Sequence, residues 1–316
     1  MKQRLILTLC AVCFVAVGLA LSAGGSSYLS TDSISCKVAE LTQADDPEVE
    51  RYFHDRDTKY DQDLYCAARR IAAKEPLSDS ALDLLKRKVN QRAGDDITLL
   101  PFAALKQNLA ALDQLFAYGA DPYLPLKRKG PSAYDSLISV VSEGDYPIAT
   151  EIMMLYLKHG GDPNYRGGVN NTPLIANTAL MQNFDSYRLL IDHGADVWKK
   201  EGPSRFSHDG PLPEDQIVAP LQDEKYFSTA IYIAARVASR KNDYRFLDYA
   251  FDKGVLRQAD RKQVGYLIEW IGSYELRNDP ISRSIVARVR RVLLETNYPG
   301  NEESEKILEY AWKEGW

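Results

Sequence analysis

The sequence predicts an all-α solenoid in which pairs of short helices stack side by side and hairpin-loop tips join the pairs. Three observations predict it. A turn of glycine, small residue and aspartate closes an apolar segment three times, as FAYGADPYL (116–124), LKHGGDPNY (157–165) and IDHGADVWK (191–199). A Thr or Ser stands ahead of each segment, where a helix can begin. The segments carry apolar residues on one face at helical spacing, so they can be buried only against neighbours.

The spacing of these marks indicates a repeat. The turn glycines lie 41 and 34 residues apart, at Gly119, Gly160 and Gly194. The helix starts are Thr98, Ser132, Thr172 and Thr229. In the best copy, Thr172 can cap a helix and Pro173 suits the first helical position, which needs no amide donor. Gly194 can take the left-handed conformation that ends a helix.

A TPLI start and a GAD end at this period resemble the ankyrin repeat. The resemblance covers residues 95–258 and is strongest over 95–200. It implies two-helix units that bind another protein through the hairpin tips and the exposed side of the first helix of each pair. Residues 199–225 depart from the pattern: four prolines and few apolar residues predict a loop inserted at a tip. Such a loop either contacts a partner or is passive, and both readings stay open.

The flanks of the repeats are predicted to be helical caps, over 31–94 at the N-terminal end and 259–316 at the C-terminal end. The chain has a net charge of -5, with 45% apolar and 26% charged residues. These values predict a packed core, and the acidic balance argues against a nucleic-acid partner. We expect a monomer when no partner is bound.

Residues 1–23 predict export. MKQR carries two positive charges, and 19 uncharged residues follow at 5–23, with small residues around Ser22 and Ala23. This is typical of a secretory signal peptide, but the apolar run is also near the length that spans a bilayer. A cleaved signal and an uncleaved inner-membrane anchor therefore both stay open. Either way, residues 31–316 are expected in the periplasm, with membrane contact only through such an anchor.

Two cysteines, Cys36 and Cys66, lie beyond the apolar segment. In an oxidising compartment we expect them to form a disulfide, and two buried free thiols are the alternative. Neither has a histidine close by in sequence that would complete a zinc site.

No enzyme, cofactor or metal is predicted, because the sequence contains none of the common nucleophile, metalloprotease, phosphate-loop or dinucleotide motifs. His159 and His193 occupy the same place in two repeats, just before the turn glycine. We interpret both as residues that settle the end of a helix. An enzyme that uses His208, in the inserted loop, remains as an alternative, and His54 is expected to be solvated.

The predicted contact residues follow the three turns, and we call them the tip surface: Tyr123, Lys127, Arg128, Lys129, Tyr165, Arg166, Trp198, Lys199 and Lys200. Aromatic and arginine side chains dominate interface energetics, and a basic row favours an acidic partner. Fold class and compartment together suggest an immunity protein that occludes a toxic effector, such as a type VI secretion phospholipase. The alternative is a general envelope scaffold, or a chaperone-like partner of a periplasmic enzyme.

Overall fold

The structure is a computed structural model. It describes residues 46–53, 61–93, 97–124, 136–142, 148–167, 171–199, 206–207, 210–211, 229–241 and 243–255, and the single residues 263, 267 and 287. The helices within these ranges are α1 Pro47–Phe53, α2 Gln62–Ala72, α3 Asp79–Leu85, α4 Leu99–Leu105, α5 Leu109–Ala117, α6 Leu137–Ser142, α7 Ala149–Lys158, α8 Leu174–Leu180, α9 Phe184–Asp192, α10 Ala230–Lys241 and α11 Arg245–Asp252. The strands are β1 Arg166–Gly167, β2 Thr172–Pro173, β3 Phe206–Ser207 and β4 Gly210–Pro211.

Helices α4 to α11 form four consecutive pairs, and in each pair the first helix packs against the second. We call the first helices (α4, α6, α8, α10) inner and the second ones (α5, α7, α9, α11) outer. Inner helix α8 packs against α6 and α10, and each outer helix packs against the next one. Contact between equivalent helices of successive pairs is what defines a solenoid, so the predicted all-α helical-repeat fold is confirmed.

In the described part of the chain, the named strands form two-residue antiparallel pairs. Arg166 pairs with Pro173 and Gly167 with Thr172, which makes a hairpin tip between the second and third helix pairs. Phe206 pairs with Pro211 and Ser207 with Gly210 inside the inserted segment. The prediction of short hairpin tips is thereby confirmed at one repeat boundary, and the inserted segment contains a small hairpin of its own.

The turn glycines have the predicted backbone conformation. Gly119, Gly160 and Gly194 have φ of 82°, 82° and 86°, and Gly254 adds a fourth turn with φ of 76°. In the first three of these turns, the amide after the glycine donates to the carbonyl five residues earlier, as Ala195 does to Leu190 at 2.9 Å. This bond closes the outer helix and aims the chain toward the tip.

A second left-handed residue lies between the helices of a pair, which the sequence did not predict because it is not glycine. Gln107 has φ of 54° and Gln182 has φ of 62°. The next residue is asparagine in both cases, and its side chain caps the outer helix. Asn108 Oδ1 accepts from Ala111 N at 3.0 Å, and Asn183 Oδ1 accepts from the equivalent amide at 3.1 Å.

The N-terminal helices α1 to α3 are joined to the first repeat by polar side chains. Asn108 Nδ2 donates to the carbonyls of Ile71 and Glu75 at 3.1 and 3.0 Å. Gln114 donates to and accepts from the backbone of Leu77, at 2.8 Å each. Lys106 forms an ion pair with Asp46 at 2.7 Å. The helices predicted for the N-terminal cap are therefore present, and its boundaries at 31 and 94 stay predictions.

Successive outer helices are linked by side chains at their exposed ends. Lys158 and His159 on α7 each lie 2.7 Å from Asp113 Oδ1 on α5. Tyr249 on α11 donates to Asp192 on α9 at 2.7 Å, and Lys253 pairs with the same carboxylate. In both links an acidic residue of one repeat receives donors from the next repeat, which fixes how neighbouring pairs are stacked.

Several predictions fall outside the described residues: the export segment 1–23, the C-terminal cap 259–316 apart from residues 263, 267 and 287, and Cys36. Cys66 lies half-buried on α2 and is disulfide-bonded, while its pairing with Cys36 stays a prediction. Among the described helices, none has both the length and the apolar character needed to cross a bilayer.

Paired substitutions test the two left-handed positions. Gly194→Ala should lower the free energy of unfolding by about 1 kcal/mol, since a Cβ is disfavoured at positive φ even where space is open. Gln182→Gly should raise it by about 0.5 kcal/mol, because it relieves the same strain. Urea unfolding followed by circular dichroism measures both. Met181→Gly, one residue away at φ of -82°, is the control and should only destabilise.

Acid should weaken the outer-helix links. Hydrogen bonds from Lys158 and His159 hold the pKa of Asp113 below its ordinary value of 3.8, and those from Lys253 and Tyr249 do the same for Asp192. A carboxylate whose pKa is lower in the folded than in the unfolded protein stabilises the fold at every pH above the unfolded-state pKa. That stabilisation is lost as the pH falls through the folded-state pKa.

The double variant Asp113→Asn, Asp192→Asn should therefore be less stable than the wild type at pH 7, while the two should converge below pH 3.8. Urea midpoints measured from pH 7 to pH 2.5 give the comparison. A constant difference across this range would show that these carboxylates do not titrate in the links.

Candidate protein-binding surface

The turns at Gly119, Gly160 and Gly194 are each followed by the same hydrogen-bonded turn, an Asx turn. The aspartate that follows the glycine accepts a hydrogen bond from the backbone amide two residues later. The distances are 2.8 Å for Asp121 and Tyr123, 2.8 Å for Asp162 and Asn164, and 2.9 Å for Asp196 and Trp198. The short carboxylate side chain mimics a backbone turn, which explains why aspartate suits this place. The turn aims the residue at the second position, which we call the bridge residue, at the next repeat.

The first bridge residue, Tyr123, contacts the second repeat through its hydroxyl. Tyr123 OH accepts from the backbone amide of Asp162 at 3.2 Å and lies 2.8 Å from Tyr156 OH. Tyr156 in turn donates to the carbonyl of Asp162 at 2.7 Å. Tyr156 is almost fully buried, and burial raises the pKa of its hydroxyl far above the ordinary value, so it stays a neutral donor.

The second bridge residue, Asn164, binds the backbone of the third turn with both ends of its amide. Its Nδ2 donates to Gly194 O at 3.2 Å, and its Oδ1 accepts from Asp196 N at 2.7 Å. Asn90, in the N-terminal cap, makes the same pair of bonds to the first turn, at 3.2 and 2.7 Å. The stack therefore uses one asparagine geometry at two boundaries, although the two sequence contexts differ.

The third bridge residue, Trp198, corrects the sequence prediction. We expected the turn to present Trp198 outward as a partner contact, but only 4% of it is exposed. Its ring packs in the core, and its Nε1 donates to Val255 O in the fourth repeat at 3.1 Å. The prediction was wrong because the Asx turn aims the bridge residue along the stack instead of away from it.

Tyr123 is half-buried, and three further residues of the tip surface are also partly accessible. Tyr165 is half-buried, with its ring centroid 4.4 Å from that of Tyr123. Lys199 is half-buried and donates to Asn164 O at 2.6 Å. Arg166 is half-buried, and its Nε is enclosed with no hydrogen-bond partner. The remaining tip residues, Lys127, Arg128, Lys129 and Lys200, lie outside the described part of the chain, as does all of loop 199–225 except 199, 206–207 and 210–211.

The inner helices are buried over most of their length, which limits the exposed side that the ankyrin resemblance implies. Six consecutive residues are buried in each, over 99–104, 137–142, 174–179 and 230–235. Because successive residues on a helix are about 100° apart, six of them surround its axis completely. Even the small side chains Ala104, Ser142 and Ala179 have no exposed area. The six-residue segments therefore offer no contact surface in this conformation, and the exposed residues of the inner helices, such as Leu105 and Leu180, lie beyond them.

The two repeated histidines lie at helix ends, as predicted, but they use different partners. His193 Nδ1 lies 2.8 Å from Leu189 O, one turn back in its own helix. The ring of His159 is stacked on Phe116 and binds Asp113 in the preceding repeat. Within the described residues no group of histidine, cysteine and acidic side chains is arranged to hold a metal. His54 and His208 lie outside them.

No model of a known protein family and no curated protein matches the chain. Among solved structures, the chain is similar to an ankyrin repeat domain from Acinetobacter baumannii AYE. The sequences are 16% identical, the TM-score is 0.38, and the match covers 78% of this chain and 98% of that domain.

Trp198→Ala should lower the free energy of unfolding by about 3–5 kcal/mol, because it leaves a cavity where a large side chain packs. Trp198→Phe keeps a ring there but removes the donor to Val255 O, and should cost about 1–2 kcal/mol. Urea unfolding measures both. If Trp198→Ala were nearly neutral, Trp198 would belong to the accessible tip surface after all.

Two buried tyrosines make a matched pair. Tyr187 is fully buried and its hydroxyl has no partner, so Tyr187→Phe should raise the free energy of unfolding by about 1 kcal/mol. Tyr156→Phe removes a hydroxyl that bonds Tyr123 and Asp162, and should lower it by about 1–2 kcal/mol. Effects of equal sign in thermal unfolding would contradict the assigned roles.

Proposed function

We propose that this chain is an exported ankyrin-type protein that binds another protein through its tip surface, apart from the buried Trp198. The observation that carries the proposal is that the described start of each tip is bonded to the repeat after it. The bridge residues Tyr123, Asn164 and Trp198 all bond to the next repeat, so neighbouring tips keep a fixed spacing before a partner arrives. A surface ordered in advance loses less conformational entropy on binding, which favours affinity.

The chemistry of the accessible tip residues supports an acidic partner. Tyr165 and Arg166 are residue types that dominate interface energetics, and the basic run 127–129 and Lys199 add positive charge. The chain as a whole is acidic, with a net charge of -5, so this row of cations is a local departure. A local basic row steers an acidic partner to one face and raises the association rate.

We further propose that the partner is a toxic effector enzyme, for example a type VI secretion phospholipase, and that the chain acts as its immunity protein in the periplasm. The export signal predicted over 1–23 would place the chain where such an enzyme acts. Neutralisation would occur by occlusion: a rigid row of tips covers the entrance to the effector's active site. Occlusion needs no catalytic group on this chain, in keeping with a function carried by binding alone.

Co-purification tests the proposal. The mature chain should co-purify with the product of a neighbouring gene. Deleting the gene for this chain should make the cell sensitive to sibling cells that deliver that product.

Substituting serine throughout the basic run 127–129 should lower the rate of association with the partner severalfold at low salt, with a smaller effect at high salt. Surface plasmon resonance at two salt concentrations separates the rates.

A matched control removes three exposed positive charges that follow the N-terminal helices α2 and α3 instead, in the variant Lys74→Ser, Lys86→Ser, Arg87→Ser. It should leave the association rate nearly unchanged. The immunity role fails if deletion leaves the cell resistant and the neighbouring gene encodes no toxin. Capture of several unrelated housekeeping enzymes would instead identify a general envelope scaffold.

A further inference from the structure

Three buried side-chain atoms in the described part of the chain lack a hydrogen-bond partner: Arg70 Nε, Arg166 Nε and Tyr187 OH. A buried donor without a partner costs free energy, because it has lost its water and gained nothing. Such atoms are few in native proteins, and each calls for a physical explanation.

The three atoms differ in whether a hydrogen-bonding group from inside or outside the chain can approach them. Arg70 Nε has the carboxylate of Glu75 at 3.7 Å, so its charge is compensated inside the chain. Tyr187 has no exposed area, so no group from outside can approach its hydroxyl. Arg166 is half-buried on a strand of the hairpin, so part of the residue can be reached from outside.

We infer that Arg166 is the anchor for a carboxylate group of the protein partner. This inference rests on the proposed function and names the chemistry of one contact. Guanidinium nitrogens Nε and Nη lie on one edge and fit the two oxygens of a carboxylate, in a pair that lysine cannot reproduce. In the free protein the Nε donor is enclosed and unused. A carboxylate that draws the guanidinium outward satisfies it, so binding removes a cost present in the free state.

The backbone around Arg166 is fixed, which confines this movement to the side chain. Arg166 and Gly167 pair with Pro173 and Thr172 in the hairpin. A Cβ at Gly167 would overlap the hydroxyl of Ser139, so strand β1 lies directly against inner helix α6. The tip therefore holds the base of the arginine in place, and only its side-chain torsions need to change when a ligand arrives.

The inference predicts opposite effects of one substitution on stability and on binding. Arg166→Met keeps the length and apolar stem of the side chain and removes the enclosed donor. The melting temperature of the free protein should rise by about 2 °C. Binding of a fluorescein-labelled hexaglutamate peptide at low salt, measured by anisotropy, should weaken at least about tenfold, from the loss of a charged, paired contact.

Two further variants distinguish a specific contact of Arg166 with the carboxylate from a general effect of positive charge on peptide binding. Arg87→Met removes an equal charge from an exposed site in the N-terminal cap, and should change hexaglutamate binding less than about twofold. Arg166→Lys keeps the charge but lacks the two-nitrogen edge, and should bind severalfold more weakly than the wild type. A hexaglutamine peptide should not bind any of the proteins.

A fall in melting temperature for Arg166→Met, or equal hexaglutamate binding by Arg166→Met and the wild type, would overturn the inference. So would wild-type binding to inorganic phosphate in preference to hexaglutamate. Failure of the proposed function has a different signature: the neighbouring gene product does not co-purify with the wild type. If that product binds Arg166→Met as well as the wild type, the proposed function stands and the carboxylate anchor does not.

Discussion

The stacking of this protein depends on one local device, the aspartate that follows each turn glycine. Its carboxylate accepts from the amide two residues later and so aims the bridge residue at the next repeat. The three bridge residues, Tyr123, Asn164 and Trp198, form their bonds with a hydroxyl, an amide and an indole. The backbone geometry is thus constant while the side-chain chemistry varies. Each repeat cannot bury its apolar face alone, and the bridge fixes where its neighbour lies.

The same device gives some tip residues a structural role. Residues at the bridge position are used by the stack, whatever their type, and Trp198 is the clearest case because it is buried. The other two bridge residues, Tyr123 and Asn164, are half-buried, as are Tyr165, Arg166 and Lys199 after the bridge position. The bridge bonds give the three turns a fixed spacing, which is the basis of the proposed function.

Much of the repeat could be predicted because its signals are local. Glycine at positive φ and aspartate in the turn are dictated by backbone geometry within a few residues, so they recur visibly at Gly119, Gly160 and Gly194. Gln107 and Gln182 were missed, since glutamine gives no sign that its backbone is left-handed. Tyr156 and Asn164 were also missed as parts of the tip structure. Their partners lie a repeat away, and no local pattern marks a residue that bonds across such a distance.

The sequence alone therefore determined the fold class, the turn positions and the ends of the outer helices, because capping and turn chemistry act between residues close along the chain. Only the tertiary structure decided which tip residues face solvent. Side-chain direction at the bridge position depends on the packing of the following repeat, and the burial of Trp198 against Val255 across 57 residues is a product of that packing. For the same reason, the sequence could not show that Arg166 Nε is buried without a hydrogen-bond partner, because that depends on the packing of neighbouring elements.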